Sequence, residues 1–451
     1  MIGIGSCALS AIGTGRSATE TPPLAVSRFG SRVLVIAPHP DDEVIAPGGL
    51  TWEARNSGAD VRAVMLTCGD GFKKAARALG KGRATPASFL SLGTMRRSEC
   101  SDALAALGVP EQDRIFLGYP DAGLRALWEF DWDPAQVHLG RNGHTEVPYD
   151  FAYRRGAPYC GASVTADLSS IIADYRPTAI VYPDPNDRHP DHQAAAAFVE
   201  YALYDSGYEC RRFTYVAHFG HYPFPWAYVP SLSLAAPEEL LEVGTRWETL
   251  QLSREAIAKK LAALRRYASQ MWIPHMNVYL RSFVRRNELF GTYAPARPLR
   301  LENDTSPPSS PDAHDVVVRQ PVDTVVPAIL QKGNRATEVR MAIGSNRLWL
   351  GVTVPGSSTV RRPSALHLRL LGGRTPKRFD ATVRGEVVEV STRYADSVSP
   401  TDVVVRRLGD TLWLGLPVAL VEGRRVALVA GEVMGPNGRP VTTAWRPVLL
   451  R

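Results

Sequence analysis

Arg32-Val33-Leu34-Val35-Ile36-Ala37-Pro38-His39-Pro40-Asp41-Asp42-Glu43 is the stretch on which the fold turns. Its first half is a continuous apolar run with β-branched residues, which predicts a strand buried on both faces, as in a parallel sheet. At Pro38 the character changes. A histidine and three acids follow, and a helix is predicted over Ala46–Ser57. The alternation then repeats. Val61–Thr67 reads as a strand broken by Gly69-Asp70-Gly71, Met95–Leu107 as an amphipathic helix and Arg114–Gly118 as a strand. Ala166–Tyr175 reads as a helix, Ala179–Tyr182 as another buried strand and Asp191–Tyr204 as a helix. Strict alternation predicts an α/β fold, a Rossmann-like, doubly wound, mostly parallel sheet with right-handed crossovers. Ligands of such sheets sit beyond the carboxyl ends of the strands.

Composition sets the outer limits. The chain has 451 residues, 45% hydrophobic and 22% charged, which excludes a disordered, collagenous or coiled-coil protein. The net charge of +7 is spread along the chain without a basic block, which argues against a nucleic-acid partner. No run of about 18 apolar residues occurs, so no transmembrane helix is predicted. The five cysteines form no CxxC pair, and this removes the usual zinc knuckle; a Cys160–Cys210 disulfide stays open. Residues 1–30 read as a leader. Its opening, MIGIGSCALSAIGTG, lacks the basic start of a secretory signal. A truncated export signal and a flexible segment both fit, so cytoplasmic and envelope-associated locations stay open.

The texture changes at residues 296–315, where ENDTSPPSSPDA reads as a linker. Residues 31–295 are thus expected to form one domain and 316–451 an all-β sandwich. Candidate sandwich strands are Glu338–Ile343, Arg347–Val354, Leu366–Leu371, Asp402–Leu408, Thr411–Leu416, Arg425–Val433 and Ala444–Leu450. Trp349 and Trp413 are read as core residues.

Chemistry gathers at two strand ends. A helix N-terminus can stabilise one carboxylate, but three successive acids repel one another unless a cation neutralises them. His39 and Asp42 are spaced to share one face, with Asp41 pointing elsewhere. The second strand end reads Asp184-Pro185-Asn186-Asp187-Arg188-His189-Pro190-Asp191-His192. Two HPD tripeptides at two carboxyl strand ends predict a metal site across the sheet crevice. Two histidines and one carboxylate with open positions suit catalytic zinc, and equally Fe(II). Spare acids and a spare histidine favour hydrolysis. A metal activates water, a free carboxylate takes its proton, and a second group stabilises the oxyanion or protonates the amine.

PHPDDE with a later HPDH resembles the PIG-L/LmbE family of zinc-dependent N-deacetylases, over roughly Arg32–Gly291. Arg96-Arg97-Ser98-Glu99, Gly118-Tyr119-Pro120-Asp121, Tyr267-Ala268-Ser269-Gln270 and Asn287-Glu288-Leu289-Phe290 are similar to the family as well. The resemblance implies zinc ligands at His39, Asp42 and His192, with Asp41 as general base. It implies that His189 supports the oxyanion, that Asp191 orients a histidine, and that Arg96 and Asp121 contact substrate or brace the site. Where some relatives carry an aromatic residue before the second motif, this chain has Asp187-Arg188. The implied activity is removal of an N-acyl group, foremost acetyl, from an amino sugar or glycoconjugate. Hydrolysis of another amide, such as a peptide-like or antibiotic conjugate, is the alternative within enzymes. A glycan-binding or envelope-associated protein without turnover is the alternative outside them, since the sandwich looks loosely similar to carbohydrate-binding modules. Two further segments, Phe72–Gly93 and the aromatic-rich Trp128–Tyr159, are expected at the crevice rim. The aromatic one suits either sugar stacking or a small core of its own.

Overall fold

Val33 to Ala37 are all buried, because the strand they form lies inside a sheet, with a parallel neighbour on each side, and helices cover both of its faces. Residues 21–302, 306–308, 313–321, 336–357, 362–372, 377–385, 387–393, 398–435, 438 and 440–451 are described in a computed structural model. Residues 1–20, with most of the expected leader and Cys7, lie outside them, as does much of 303–312. The rest of that leader, 21–30, belongs instead to the α/β fold, with Leu24 and Phe29 in its core and Leu24 N donating to Thr249 O at 2.8 Å. The first sheet contains β1 (Arg32–Ala37), β2 (Asp60–Thr67), β3 (Arg114–Tyr119), β4 (Ala179–Pro183), β5 (Arg211–Tyr215), β6 (Arg246–Gln251) and β7 (Asn287–Thr292). Its order is β3-β2-β1-β4-β5-β7-β6. The first five strands run parallel, and β7 and β6 close one edge antiparallel. The helices are α1 (Asp42–Ile45), α2 (Gly48–Asn56), α3 (Lys73–Leu79), α4 (Pro86–Ala106), α5 (Leu124–Glu129), α6 (Gly161–Tyr175), α7 (Pro190–Ser206), α8 (Arg254–Leu264), α9 (Ala268–Met271) and α10 (Pro274–Ser282).

Period-two alternation assigns each face its own core. Val33, Val35 and Ala37 join Leu50, Leu104 and Leu264 on one side. Leu34 and Ile36 join Leu168, Ile171, Phe198 and Val199 of α6 and α7 on the other. The long helix α4 begins at Pro86, well ahead of the predicted Met95. Thr85 and Ser88 cap it reciprocally, with Ser88 N donating to Thr85 Oγ1 at 3.2 Å and Thr85 N to Ser88 Oγ at 2.8 Å. Gly93 hid this continuity. A Cβ there would meet the Tyr149 hydroxyl at 2.2 Å, so glycine is needed for close approach rather than for a break.

The second half forms two antiparallel-rich sheets. The strands are β8 (Leu299–Arg300), β9 (Val316–Arg319), β10 (Glu338–Ile343), β11 (Arg347–Thr353), β12 (Ser364–Leu371), β13 (Lys377–Arg384), β14 (Val387–Arg393), β15 (Val404–Leu408), β16 (Thr411–Pro417), β17 (Val426–Met434), β18 (Pro440–Thr442) and β19 (Arg446–Leu449). One sheet runs β15-β16-β11-β10-β8 with β9 also on β10. The other runs β14-β13-β12-β17-β18 with β19 on β17. The described part of 296–315 is tied in: Leu299–Arg300 pair with β10, and Ala296 N donates to Pro447 O at 2.9 Å. Trp349 and Trp413 are buried beside Ala342.

The sandwich is packed onto the α/β layers. Leu371, Val426, Leu428, Ala430 and Trp445 belong to the same core as α6 and α7. Trp445 meets Trp128 edge to face at 5.2 Å between ring centroids. Arg378 donates to Trp128 O at 2.7 Å, and Arg446 to Val243 O at 3.1 Å. The aromatic segment after α5 is thus largely core, with Trp128, Trp132, Tyr149 and Tyr159 buried and Phe130 and Tyr153 exposed. Cys68, Cys100, Cys160 and Cys210 are free thiols, so the Cys160–Cys210 pairing is not made. Among the described residues no helix is long and apolar enough to cross a membrane.

Candidate metal centre

β1 and β4 are adjacent and parallel, and their connections leave in opposite directions along the sheet. That is the switch point where a crevice opens beyond the strand ends. Both histidine-rich motifs arrive there. After β1, the turn ends at Asp41, whose φ of 115° lies in the left-handed region. A non-glycine residue there costs about 1–3 kcal/mol, and such strain concentrates at functional sites. Three bonds hold the conformation. Asp41 N donates to Glu43 Oε2 at 2.9 Å, Arg96 pairs with Asp41 Oδ2 at 2.9 Å, and Arg96 also donates to Pro40 O. Tyr267 OH donates to the other oxygen of Glu43. After β4, His189 caps α7 by accepting from Asp191 N at 3.2 Å through Nδ1, and Pro190 occupies the first turn.

The three expected ligands meet at one atom. Asp42 Oδ2 lies 3.2 Å from His39 Nδ1 and 3.1 Å from His192 Nε2. Each histidine turns its other nitrogen to a carboxylate. His39 Nε2 is 3.2 Å from Asp191 Oδ2 and 3.4 Å from Asp121 Oδ1. His192 Nδ1 is 3.4 Å from Asp187 Oδ2. Neither nitrogen of His192 has an aligned hydrogen bond, nor has Asp42 Oδ1, although all are buried. Buried polar atoms left so are costly, and a cation satisfies such atoms. Histidines backed by carboxylates are the usual surroundings of metal-bound imidazoles.

Electrostatics agree with this geometry. Burial alone would lower the His192 pKa, but Asp42 and Asp187 hold it at about 9. Burial also opposes charge on His39, and Asp121, Asp191 and Asp42 outweigh it, raising its pKa. These two rings carry the positive charge that the acids require. A divalent cation on the same atoms would supply that charge with both rings neutral, as metal binding demands. Burial and the neighbouring His39 pull His189 down to about 3, so that ring is neutral. Burial pushes Asp41 well above the ordinary carboxylate range against the pull of Arg96.

Arg96 and Asp121 face inward as braces. Arg96 also donates to Gly69 O at 2.9 Å, and Asp121 Oδ2 accepts from Gly71 N at 2.8 Å. The Gly69-Asp70-Gly71 break therefore supports the crevice. Sequence reasoning missed His218, which lies just beyond β5, and its neighbour Tyr279. His218 packs 5.1 Å from His189 and 4.7 Å from His192 between ring centroids. No sequence signal marked it, because β5 opens with two arginines and does not read as a strand. Asp187, noted only as a departure, buries its carboxylate behind His192 and accepts from Ala217 N and His218 N at 2.9 Å each.

Comparison with known proteins adds a second line. The family described as PIG-L: GlcNAc-PI de-N-acetylase matches residues 34–203. A 1D-myo-inositol 2-acetamido-2-deoxy-alpha-D-glucopyranoside deacetylase of Mycobacterium sp. (strain KMS) is 28% identical over 286 residues, 59% of this chain and 81% of that protein. The protein of the same name from Nocardioides sp. (strain ATCC BAA-499 / JS614) is 30% identical over 187 residues, 39% of this chain and 54% of its own length. Among solved structures, the antimicrobial A40926 pseudoaglycone deacetylase Dbv21 is similar with 20% identity and a TM-score of 0.38, covering 58% of this chain and 98% of that one. The N,N'-diacetylchitobiose deacetylase from Pyrococcus horikoshii gives 20% identity and a TM-score of 0.37, over 59% and 86%.

Proposed function

We propose, for a chain whose residues 34–203 form a PIG-L family domain, a zinc-dependent hydrolase that removes an N-acyl group, foremost acetyl, from an amino sugar or glycoconjugate. The observation that carries this is the convergence of His39, Asp42 and His192 on one carboxylate oxygen one residue from the strained Asp41. The relatives named as deacetylases of an acetamido-glucopyranoside support the substrate class. We take 31–295 as the catalytic unit, 296–315 as the join and 316–451 as the sandwich it carries.

His39, Asp42 and His192 would hold the ion. Zinc is the reading adopted, and Fe(II) suits the same ligand types. The ion supplies Lewis acidity to water and to the amide carbonyl. Asp41 takes the proton of the attacking water, and Arg96 keeps its carboxylate aimed into the crevice. His189 accepts from Asp191 N at Nδ1, so its proton sits on Nε2. That N–H donates to the oxygen as negative charge develops there, and the proton that Asp41 took from water passes to the departing amine. Asp191 and Asp121 orient His39, and Asp187 orients His192. The products are a carboxylate, acetate in the foremost case, and a free amino sugar. The test is amine release from a panel of N-acylated sugars, polysaccharides and conjugates, before and after chelation. Release that stops on chelation and returns with zinc supports the reading; release that survives chelation rejects it.

A further inference from the structure

Asp42 and His192 fall into one compact donor set with His218, their ligand atoms all within 4.8 Å of one another. The protons around His218 can be counted. Tyr279 has a single hydroxyl proton, and it is donated to Ala217 O at 2.5 Å. The 3.1 Å contact between the Tyr279 oxygen and His218 Nδ1 therefore takes its proton from the ring. A neutral ring protonated at Nδ1 leaves Nε2 as a bare lone pair. That is the form in which imidazole binds metals, one nitrogen coordinating and the other donating to a fixed partner.

The ring is also held in place. Tyr279 stacks on it at 5.7 Å with an interplanar angle of 16°. The His218 backbone N–H donates to Asp187 Oδ2 at 2.9 Å, the oxygen that faces His192 Nδ1. One carboxylate thus fixes both histidines relative to each other. Asp42 Oδ1 is buried without a hydrogen bond, so the set holds an unused acceptor as well.

We propose that His218 is a further ligand of the ion that His39, Asp42 and His192 hold, making three imidazoles and one carboxylate. The proposal rests on the metal-dependent reading above. Four protein donors plus room for substrate require five or more ligands. Zinc reaches that number by expanding its shell, and ions that favour octahedral sites accept it readily.

The test uses the full chain loaded with Co²⁺. Proton NMR then counts hyperfine-shifted, exchangeable imidazole N–H signals. Three are expected, from His39, His192 and His218. His218→Asn and His218→Ala should each remove one signal and weaken cobalt binding by about 10- to 100-fold, in protein whose circular dichroism matches the parent. Tyr279→Phe should keep the His218 signal but speed its exchange with water. Two signals in the parent chain, or unchanged affinity in both His218 variants, overturn the proposal and leave the three-ligand reading standing. A parent chain that takes up no cobalt overturns the metal-dependent reading and this inference with it.

Discussion

The strand-end crevice and the joint between the α/β layers and the sandwich both bury charge, and they treat it in opposite ways. At the joint, guanidiniums turn to backbone carbonyls, one carboxylate and aromatic rings. Arg378 donates to Trp128 O and Glu129 O with its guanidinium 4.7 Å from the Trp132 ring centre. Arg446 donates to Val243 O and Thr245 Oγ1 over Tyr293 at 4.1 Å. Arg369 pairs with Asp380 at 2.8 Å and lies over Trp445. In the crevice, four histidines and several acids gather, yet Asp42 Oδ1 and the His192 nitrogens make no hydrogen bond. Arg369 Nε at the joint is also buried without a hydrogen bond, but its guanidinium lies over an aromatic ring. In the crevice the atoms left open are carboxylate and imidazole atoms that face one another, as a cation site requires.

Mutations can break this contrast. The largest effect belongs to the crevice. Asp41→Asn keeps size and removes the base, so amine release should fall by about 10²- to 10⁴-fold while bound metal, measured by elemental analysis, stays constant. Next comes Trp445→Ala at the joint, expected to cost about 3–5 kcal/mol in denaturant titration, the usual loss for a large buried aromatic. The native fraction should keep its kcat, and a matching loss of kcat would show that the joint reaches the chemistry. Arg378→Met should cost about 1–3 kcal/mol, from charged hydrogen bonds to carbonyls that then stay buried, again without changing turnover. Phe130→Ala is the smallest. That ring is 61% exposed, so stability should move by less than about 0.5 kcal/mol. A raised KM in this variant would give the aromatic segment a role in substrate contact alongside its role in the core.

Legibility followed the strength of local pattern. β1 and β4 could be read because both are continuous apolar runs, and both motifs because they stand where such runs stop. β13 could not. Phe379, Ala381 and Val383 alternate with polar residues, and so short a period-two signal among charges does not stand out. β5 opens with Arg211-Arg212 and only its last three residues are buried, so His218 beyond it had no visible strand to end. The pairing of Asp187 with His192 and His218 was hidden too, since it depends on β4 and β5 lying side by side. The packing of Trp128 on Trp445 spans the chain from one layer to the other, a contact no local periodicity announces.

The most direct measurement is metal stoichiometry set against turnover. Chelator-stripped chain is titrated with zinc while bound metal and amine release from an N-acetylglucosaminyl substrate are followed together. Metal-dependent hydrolysis in this crevice predicts that release returns in step with one ion per chain, and that His192→Ala retains neither ion nor release. Full release from stripped protein, or release in His192→Ala equal to that of the parent, would contradict it.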